Sequence, residues 1–489
     1  MDENPTLCSA EYRHQFRTIC TVHLVTIGYG VTVGWTAPII PLLRSEDTPL
    51  PAGPITVEQA SWIGSSLCIG GMTGTLLFAL IHTYFGKKIG LLLLAVPHLI
   101  LWSLIWAGDN VYYIYVARVL SGVTGGGLLT IVPLFVADIA DRKIRGALGS
   151  LTILHINFGV LASYTAGTYL PYYRIPPIML VLPVAYLVLV SFLPETPYCL
   201  LRKGRVDEAE KSLMFYRNVT DDGNGGPGSG AGTGSTRKTL AFQYEFDALK
   251  AFVLAERTRQ GITLADFKTP AAIRGLCVGV FVMALNQFSG ILAILTYAGT
   301  ILQQSGTTFD NRHALILLAL INICGNLTSF AIIDKAGRKF FLLISTVGVG
   351  VFLTMLGLHS FFYDPETDSG QYSWLPVFSL AGVIYSAALG ITNVPFFVLP
   401  EILPPKLRSI GSTISVVLLC FFAFFVMKAY PLLLEAIGIH GTLWISSAVC
   451  AVGVVIIVFL VPETKGKNLV VEEEQQQESE ANKARTNAF

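Results

Sequence analysis

Apolar residues fall in runs of roughly twenty along most of the chain, the length an α-helix needs to cross a ~30 Å hydrocarbon core. Such runs occupy 18–42, 62–81, 89–107, 111–136, 148–170 and 178–192, then 274–302, 313–333, 340–362, 375–398, 411–434 and 442–461. The pattern predicts an all-α membrane protein of twelve transmembrane helices, six on either side of a polar interval. Between Pro194 and Pro270 the character changes. Val206 to Arg217 has helical spacing with a charged face, Gly223 to Gly234 forms a flexible linker, and Phe242 to Arg259 is a second amphipathic stretch. The expected divisions are an N-terminal segment 1–17, a six-helix bundle 18–193, a connector 194–270, a second bundle 271–461 and a tail 462–489. After Leu469 the tail is acidic and Gln-rich, a composition that resists packing.

The two sets of six echo each other. Asp138 precedes Arg145 by seven residues, and Glu401 precedes Arg408 by seven. Phe85-Gly86-Lys87-Lys88 recurs as Ala336-Gly337-Arg338-Lys339, and Pro194-Glu195-Thr196 recurs as Pro462-Glu463-Thr464. Matched elements at matched places imply an internal duplication: two pseudo-symmetric bundles with a site at their interface.

Composition agrees with the pattern. With 53% hydrophobic and 13% charged residues and a mean hydropathy of +0.60, a soluble domain is excluded. The net charge of +1 hides a polarised distribution. Of 33 Lys and Arg, only Arg44, Arg174 and Arg312 fall in one set of loops, and only Arg118 and Lys428 inside runs. The remainder place the other loops and both termini on the cytoplasmic side. Trp62, Trp374 and Trp444 stand near run ends, where amphipathic rings suit the interface. The first run lacks a small-residue cleavage site and reads as a retained helix. Eight cysteines show no CxxC spacing and read as buried small residues.

Six stretches in order resemble the sugar porter family of the major facilitator superfamily, and within it the insect facilitated trehalose transporters. They are Gly34-Trp35-Thr36-Ala37-Pro38, Ser61-Trp62-Ile63-Gly64-Ser65, Pro194-Glu195-Thr196-Pro197, Asn286-Gln287-Phe288-Ser289-Gly290, Glu401-Ile402-Leu403-Pro404-Pro405-Lys406-Leu407-Arg408 and Pro462-Glu463-Thr464-Lys465-Gly466-Lys467. The resemblance implies the major facilitator fold, residence in the plasma membrane and facilitative sugar transport, of trehalose or a hexose, by alternating access. A proton-coupled symporter and a non-transporting sugar sensor share this fold and remain alternatives.

Transport needs no covalent catalyst, only hydroxyl-matching groups at mid-membrane and gates that differ between two states. Nothing in the chain clusters as an enzyme's catalytic groups would. Asn286 and Gln287 bring amide donors and acceptors into an apolar helix. The resemblance makes Gln287 and Asn322 sugar contacts and Tyr297 a tyrosine that closes over the sugar from outside. Departures from the family also stand out. Ile153, Leu292, Leu419, Cys420 and Ala423 replace polar or aromatic positions, and Phe396 replaces a Trp. Asn157, His155, Asn393 and Thr392 are the polar residues nearest to hand as replacements.

The inner gate is expected from Asp138, Arg145, Glu401 and Arg408, with Asp334, Arg338, Lys87, Lys88 and Lys339 on neighbouring short loops. In the family such charges bridge the halves when the inner side is closed; Thr83 stands where an acid is usual. Residues 19–41 of the first helix contain no Asp or Glu, which favours facilitated diffusion over proton coupling. His23 there reads as a helix–helix bonding group. Gly125-Gly126-Gly127 lies inside an apolar run and lacks the strand and Lys of a phosphate loop, so no cofactor is expected. No metal and no nucleic-acid partner is expected either; the oligomeric state is open. The acceptor pattern at Asn218 and Asn326 falls at a predicted cytoplasmic and an intramembrane position.

Overall fold

The computed structural model describes residues 12–141, 144–219, 233–258, 262–307, 309–363, 372–404 and 406–463. Most of the Gly-rich linker, the N-terminal segment up to residue 11 and the tail from residue 464 lie outside the described residues. Among those described, all regular structure is helical. The first half comprises α1 (Arg13–Gly34), α2 (Thr36–Arg44), α3 (Val57–Tyr84), α4 (Lys87–Ala107), α5 (Val111–Ile139), α6 (Arg145–Tyr169) and α7 (Ile175–Ser191). The connector holds α8 (Pro197–Arg202), α9 (Val206–Arg217) and α10 (Thr233–Thr258). The second half comprises α11 (Pro270–Phe288), α12 (Ile291–Gln304), α13 (Asn311–Ala336), α14 (Arg338–Phe362), α15 (Leu375–Leu389), α16 (Val394–Ile402) and α17 (Arg408–Leu460).

Ten stretches among the described residues are long and apolar enough to cross a bilayer. Two causes separate that number from twelve. The last stretch, Thr413–Leu460, spans two expected runs, and Gly438 breaks α17 between them with φ +72°. Helix α6, in which His155, Asn157, Ser163 and several threonines interrupt the apolar residues, is not among the ten. Such a helix suits a span packed inside a bundle, where polar side chains find partners.

Helix pairing repeats between the halves. In the first, α1 packs on α6, α3 on α5 and α4 on α7. In the second, α11 packs on α17, α13 on α15, and α14 on α17. The outer faces carry exposed apolar side chains such as Leu76, Leu80, Val181, Val188, Val455 and Val458, as hydrocarbon contact requires.

Two spans expected as continuous are broken. Between α11 and α12, Gly290 adopts φ +80°, a region that only glycine enters without strain. Between α15 and α16, residues 390–393 leave the helix, and Pro395 follows in the first turn of α16. Breaks of this kind free backbone groups at membrane depth, where side chains must satisfy them. Ser345 accepts the Ile391 N–H at 2.8 Å, and Ser329 donates to Leu389 O at 2.7 Å.

Candidate functional site

The broken spans gather the amides. Asn286 donates its Nδ2 to the freed Ile391 carbonyl at 2.6 Å, and Gln287 donates to Asn286 Oδ1 at 2.6 Å. Asn393, in the second break, donates to Asn326 Oδ1 and to Ala388 O, both at 2.8 Å. Asn326 donates in turn to Asn322 O at 2.8 Å, and Asn322 donates to Asn157 Oδ1 at 3.1 Å. All six amides are buried. Three of their polar atoms have no partner among the described residues: Gln287 Oε1, Asn393 Oδ1 and Asn157 Nδ2. Two unused acceptors and one unused donor in a buried amide cluster are suited to hydroxyl groups, which both donate and accept.

Of the five residues expected at the site, the structure brings Gln287, Asn286, Asn322 and Asn393 into two linked strings of hydrogen bonds. Tyr297 lies apart from them. Its hydroxyl donates to Ala60 O at 3.4 Å and Met427 O at 3.3 Å, and its ring stacks on Tyr430 with centroids 5.9 Å apart. Asn326 was visible in the sequence only as a glycosylation pattern, yet it joins Asn322 to Asn393. The four-residue spacing from Asn322 was the signal, since it puts both amides on one helix face.

Tyr297 belongs to a set of contacts that joins the halves at the end carrying the loops with few Lys and Arg, taken as the outer end. Tyr164 donates to Leu295 O at 3.0 Å, Tyr169 O–H meets His313 Nε2 at 3.3 Å, and Thr168 donates to Arg312 O at 3.3 Å. Lys428 donates to Ser61 Oγ at 2.9 Å and lies 4.1 Å from the centroid of Trp62. These pairs draw α12 and α13 against α6, and α12 and α17 against α3. The outer end is closed.

At the inner end the described contacts stay within one half. Asp138 pairs with Lys87 at 2.6 Å rather than with Arg145. Arg145 is exposed and donates to Ala140 O at 3.3 Å. The seven-residue spacing puts a helix end between Asp138 and Arg145, whereas the start of α4 brings Lys87 alongside α5. Side chains of Asp334, Glu401 and Arg408 lie outside the described residues. Near the start of the second half, Lys406 grips Asp266 at 2.8 Å. That hydrogen bond, with those from the Thr263 amide and hydroxyl, holds the Asp266 carboxyl down at about 2.

Two repeats that the sequence presents separately meet in space. Gly86 and Gly337, at φ +105° and +99°, precede α4 and α14, and each turns its chain toward a carboxylate. Glu195 accepts the Lys88 N–H at 3.1 Å; Glu463 accepts the Arg338 and Lys339 N–H groups at 3.0 and 3.2 Å. A carboxylate at a helix N-terminus satisfies its orphan amides and faces the positive end of its dipole. Arg338 thus has its backbone fixed by the PET glutamate of its own half.

The Arg118 guanidinium is held by backbone carbonyls, donating to Thr32 O at 2.6 Å and Ile63 O at 3.0 Å. His23 is not a lone histidine. Its ring stacks on His155 with centroids 4.7 Å apart and planes 15° from parallel. A crevice of about 1060 Å³ lies elsewhere, among α14, α15 and α17. Its rim is apolar and exposed at Val347, Val351, Leu358 and Phe362, so it reads as a bilayer-facing cleft and the amides mark the site.

Over 451 residues the chain is 29% identical to a facilitated trehalose transporter of Aedes aegypti and equally to one of Culex quinquefasciatus, in each case across 92% of the chain. The chain spans 53% of the Aedes protein's length and 83% of the Culex protein's. Among solved structures, the proton:xylose symporter XylE bound to 6-bromo-6-deoxy-D-glucose matches with a TM-score of 0.68 at 22% identity, over 92% of this chain and 97% of that one. A partially occluded inward-open form of XylE from E. coli matches with a TM-score of 0.67 at 20% identity, over 91% and 100%. The fold is therefore the major facilitator fold of two six-helix bundles in a multi-pass membrane protein. The family model described as "Sugar (and other) transporter" matches residues 45–475, and the chain belongs to that family.

Proposed function

We infer that the chain carries a sugar, trehalose or a hexose, across the plasma membrane by facilitated diffusion, alternating between outer-closed and inner-closed states. One observation carries the reading: a buried amide cluster at two helix breaks retains Gln287 Oε1 and Asn393 Oδ1 without partners. Acceptors held at membrane depth without donors favour a ligand rich in hydroxyls. The names of the relatives point to the same chemistry. Gln287, Asn286, Asn322 and Asn393 contact the sugar, and Tyr297 shuts the outer path above it. Bundles 18–193 and 271–461 rock about the site, joined by the connector, with both termini cytoplasmic. Asp138, Arg145, Asp334, Arg338, Glu401 and Arg408 meet across the halves when the inner end closes. The Lys87–Asp138 pair within one half is what a parted inner gate leaves behind.

Facilitated diffusion is preferred because α1 carries no carboxylate between residues 19 and 34. The stacked His23–His155 pair favours proton coupling as the second reading. Uptake of labelled trehalose and glucose into proteoliposomes, with and without a pH gradient, decides between them. Saturable uptake indifferent to the gradient is expected. Uptake driven by the gradient establishes symport, and no uptake of any sugar by folded protein overturns the sugar reading.

A further inference from the structure

The bond from Asn322 to Asn157 crosses between the halves, from α13 to α6. Asn157 is 7% exposed, and its own Nδ2 has no partner among the described residues. A buried amide with its acceptor used and its donor hydrogens unused is costly at membrane depth. Helix packing does not require it, since a small or apolar side chain fills a helix contact without that penalty. The α6–α13 seam is also one of those that shut the outer end, through Tyr169–His313 and Thr168–Arg312. Opening that end draws the two side chains apart. It then releases Asn322 Nδ2 and Asn157 Oδ1 together, beside the Asn157 Nδ2 that is unused already.

We propose that Asn157 is a substrate contact on the N-terminal half, and that a sugar hydroxyl inserts between Asn157 and Asn322 in place of their direct bond. One hydroxyl can donate to Asn157 Oδ1 while accepting from Asn322 Nδ2. A neighbouring hydroxyl accepts from Asn157 Nδ2, so the recognised unit is a vicinal diol. Once the sugar leaves, the two asparagines satisfy each other, and the outer seam closes on a hydrogen bond rather than on two stranded amides. The pair thus makes the position of one half depend on what the other half holds. This inference rests on the sugar-carrier reading above.

The test compares Asn157→Leu, Asn157→Gln, Asn322→Leu and the double Leu variant in proteoliposomes. Glucose and its single-position deoxy analogues serve as probes, and Gln287→Leu as a control. Asn157→Leu should raise KM about tenfold with the maximal rate changed less than twofold, and Asn157→Gln should restore most of the loss. The double variant should be about as weak as Asn157→Leu alone, because the hydroxyl that Asn322 shares with Asn157 has then already lost its main partner. Two deoxy analogues, at adjacent positions, should each lose less to Asn157→Leu than glucose does, having already lost one of the two groups. An unchanged KM, an equal loss for every analogue, or losses that multiply in the double variant each overturn the proposal. If Gln287→Leu weakens uptake while Asn157→Leu does not, the carrier reading stands and Asn157 alone is wrong. No saturable sugar uptake by the unaltered chain overturns both. Should Asn157→Leu fail to fold, Asn157→Ser is read by the same criteria.

Discussion

The two halves pair their helices alike yet differ in how they treat their backbones. In the N-terminal half, α3 and α5 approach through glycines: a Cβ on Gly126 would overlap Gly71 O and Thr75 N. That contact is rigid, main chain on main chain. In the C-terminal half the matching pair, α13 and α15, is less tightly apposed: a Cβ on Gly325 would stand 2.8 Å from Ala388 Cβ and 3.1 Å from Tyr385 O. There, two spans are broken, and amides fill the breaks. One half is therefore stiff at this contact, while the other holds freed carbonyls capped by buried amides. The pairing is alike in both halves, and five of the six buried amides of the cluster lie in the second.

The largest effect should come from testing that stiffness. Gly126→Leu places four carbons where backbone already stands, and at several kcal/mol it should prevent recovery of monodisperse protein by size-exclusion chromatography. Gly325→Ala brings a methyl to 2.8 Å from Ala388 Cβ and 3.1 Å from Tyr385 O, a smaller overlap, and should lower the unfolding midpoint by less than Gly126→Leu does. Equal tolerance of both would show that the close packing of the first half has no special role.

Next in size is the loss of a ligand contact. Gln287→Leu keeps the side chain's bulk and removes the unpaired Oε1 acceptor, so KM for the transported sugar should rise at least tenfold while thermal stability stays near that of the parent. A fall in stability with KM unchanged would make Gln287 a packing residue.

How much of this was readable from residues alone differs between the halves too. Span positions were legible, because apolar runs of the right length admit one reading in lipid. The breaks at Gly290 and at 390–393 were hidden, since apolar character continues through them and hydropathy carries no φ angle. Gly290 after Phe288-Ser289, and Pro395 three residues after Thr392, were the local signals. Gln287, Asn286, Asn322 and Asn393 were legible as costly polar groups, but not their order in a network, which depends on the freed Ile391 carbonyl. Asp138 was legible as a charge at a helix end, but its contact with Lys87 was not, since the fold and not the spacing brings the start of α4 beside α5. The paired glutamates Glu195 and Glu463 show the same limit: each repeat was visible, and the contact between repeats was not.

Those glutamates give a sharper test of equivalence between the halves. Glu195→Gln and Glu463→Gln keep shape and remove the charge facing α4 and α14. Each should cost about 1 kcal/mol, seen as similar falls in the unfolding midpoint. If only one variant loses stability, the repeat is a relic in the other half.

The smallest effect concerns how the connector is tied to each half. On the first half, Arg217 holds Glu245 and donates to Ile139 O at 2.7 Å. On the second, Lys406 holds Asp266. Because Lys406 and Thr263 keep the Asp266 carboxyl near 2, against about 3.9 for an unperturbed aspartate, its contribution is complete above pH ~4 and disappears as pH falls toward 2. Exposure makes that contribution minor at any pH. Asp266→Asn should leave the midpoint at pH 7 almost unmoved and flatten its decline between pH 4 and 2, measured by thermal unfolding across a pH series. Parallel declines in the parent and the variant would mean that other carboxylates govern the acid limb, and that the second half is joined to the connector by the covalent chain and its packing alone.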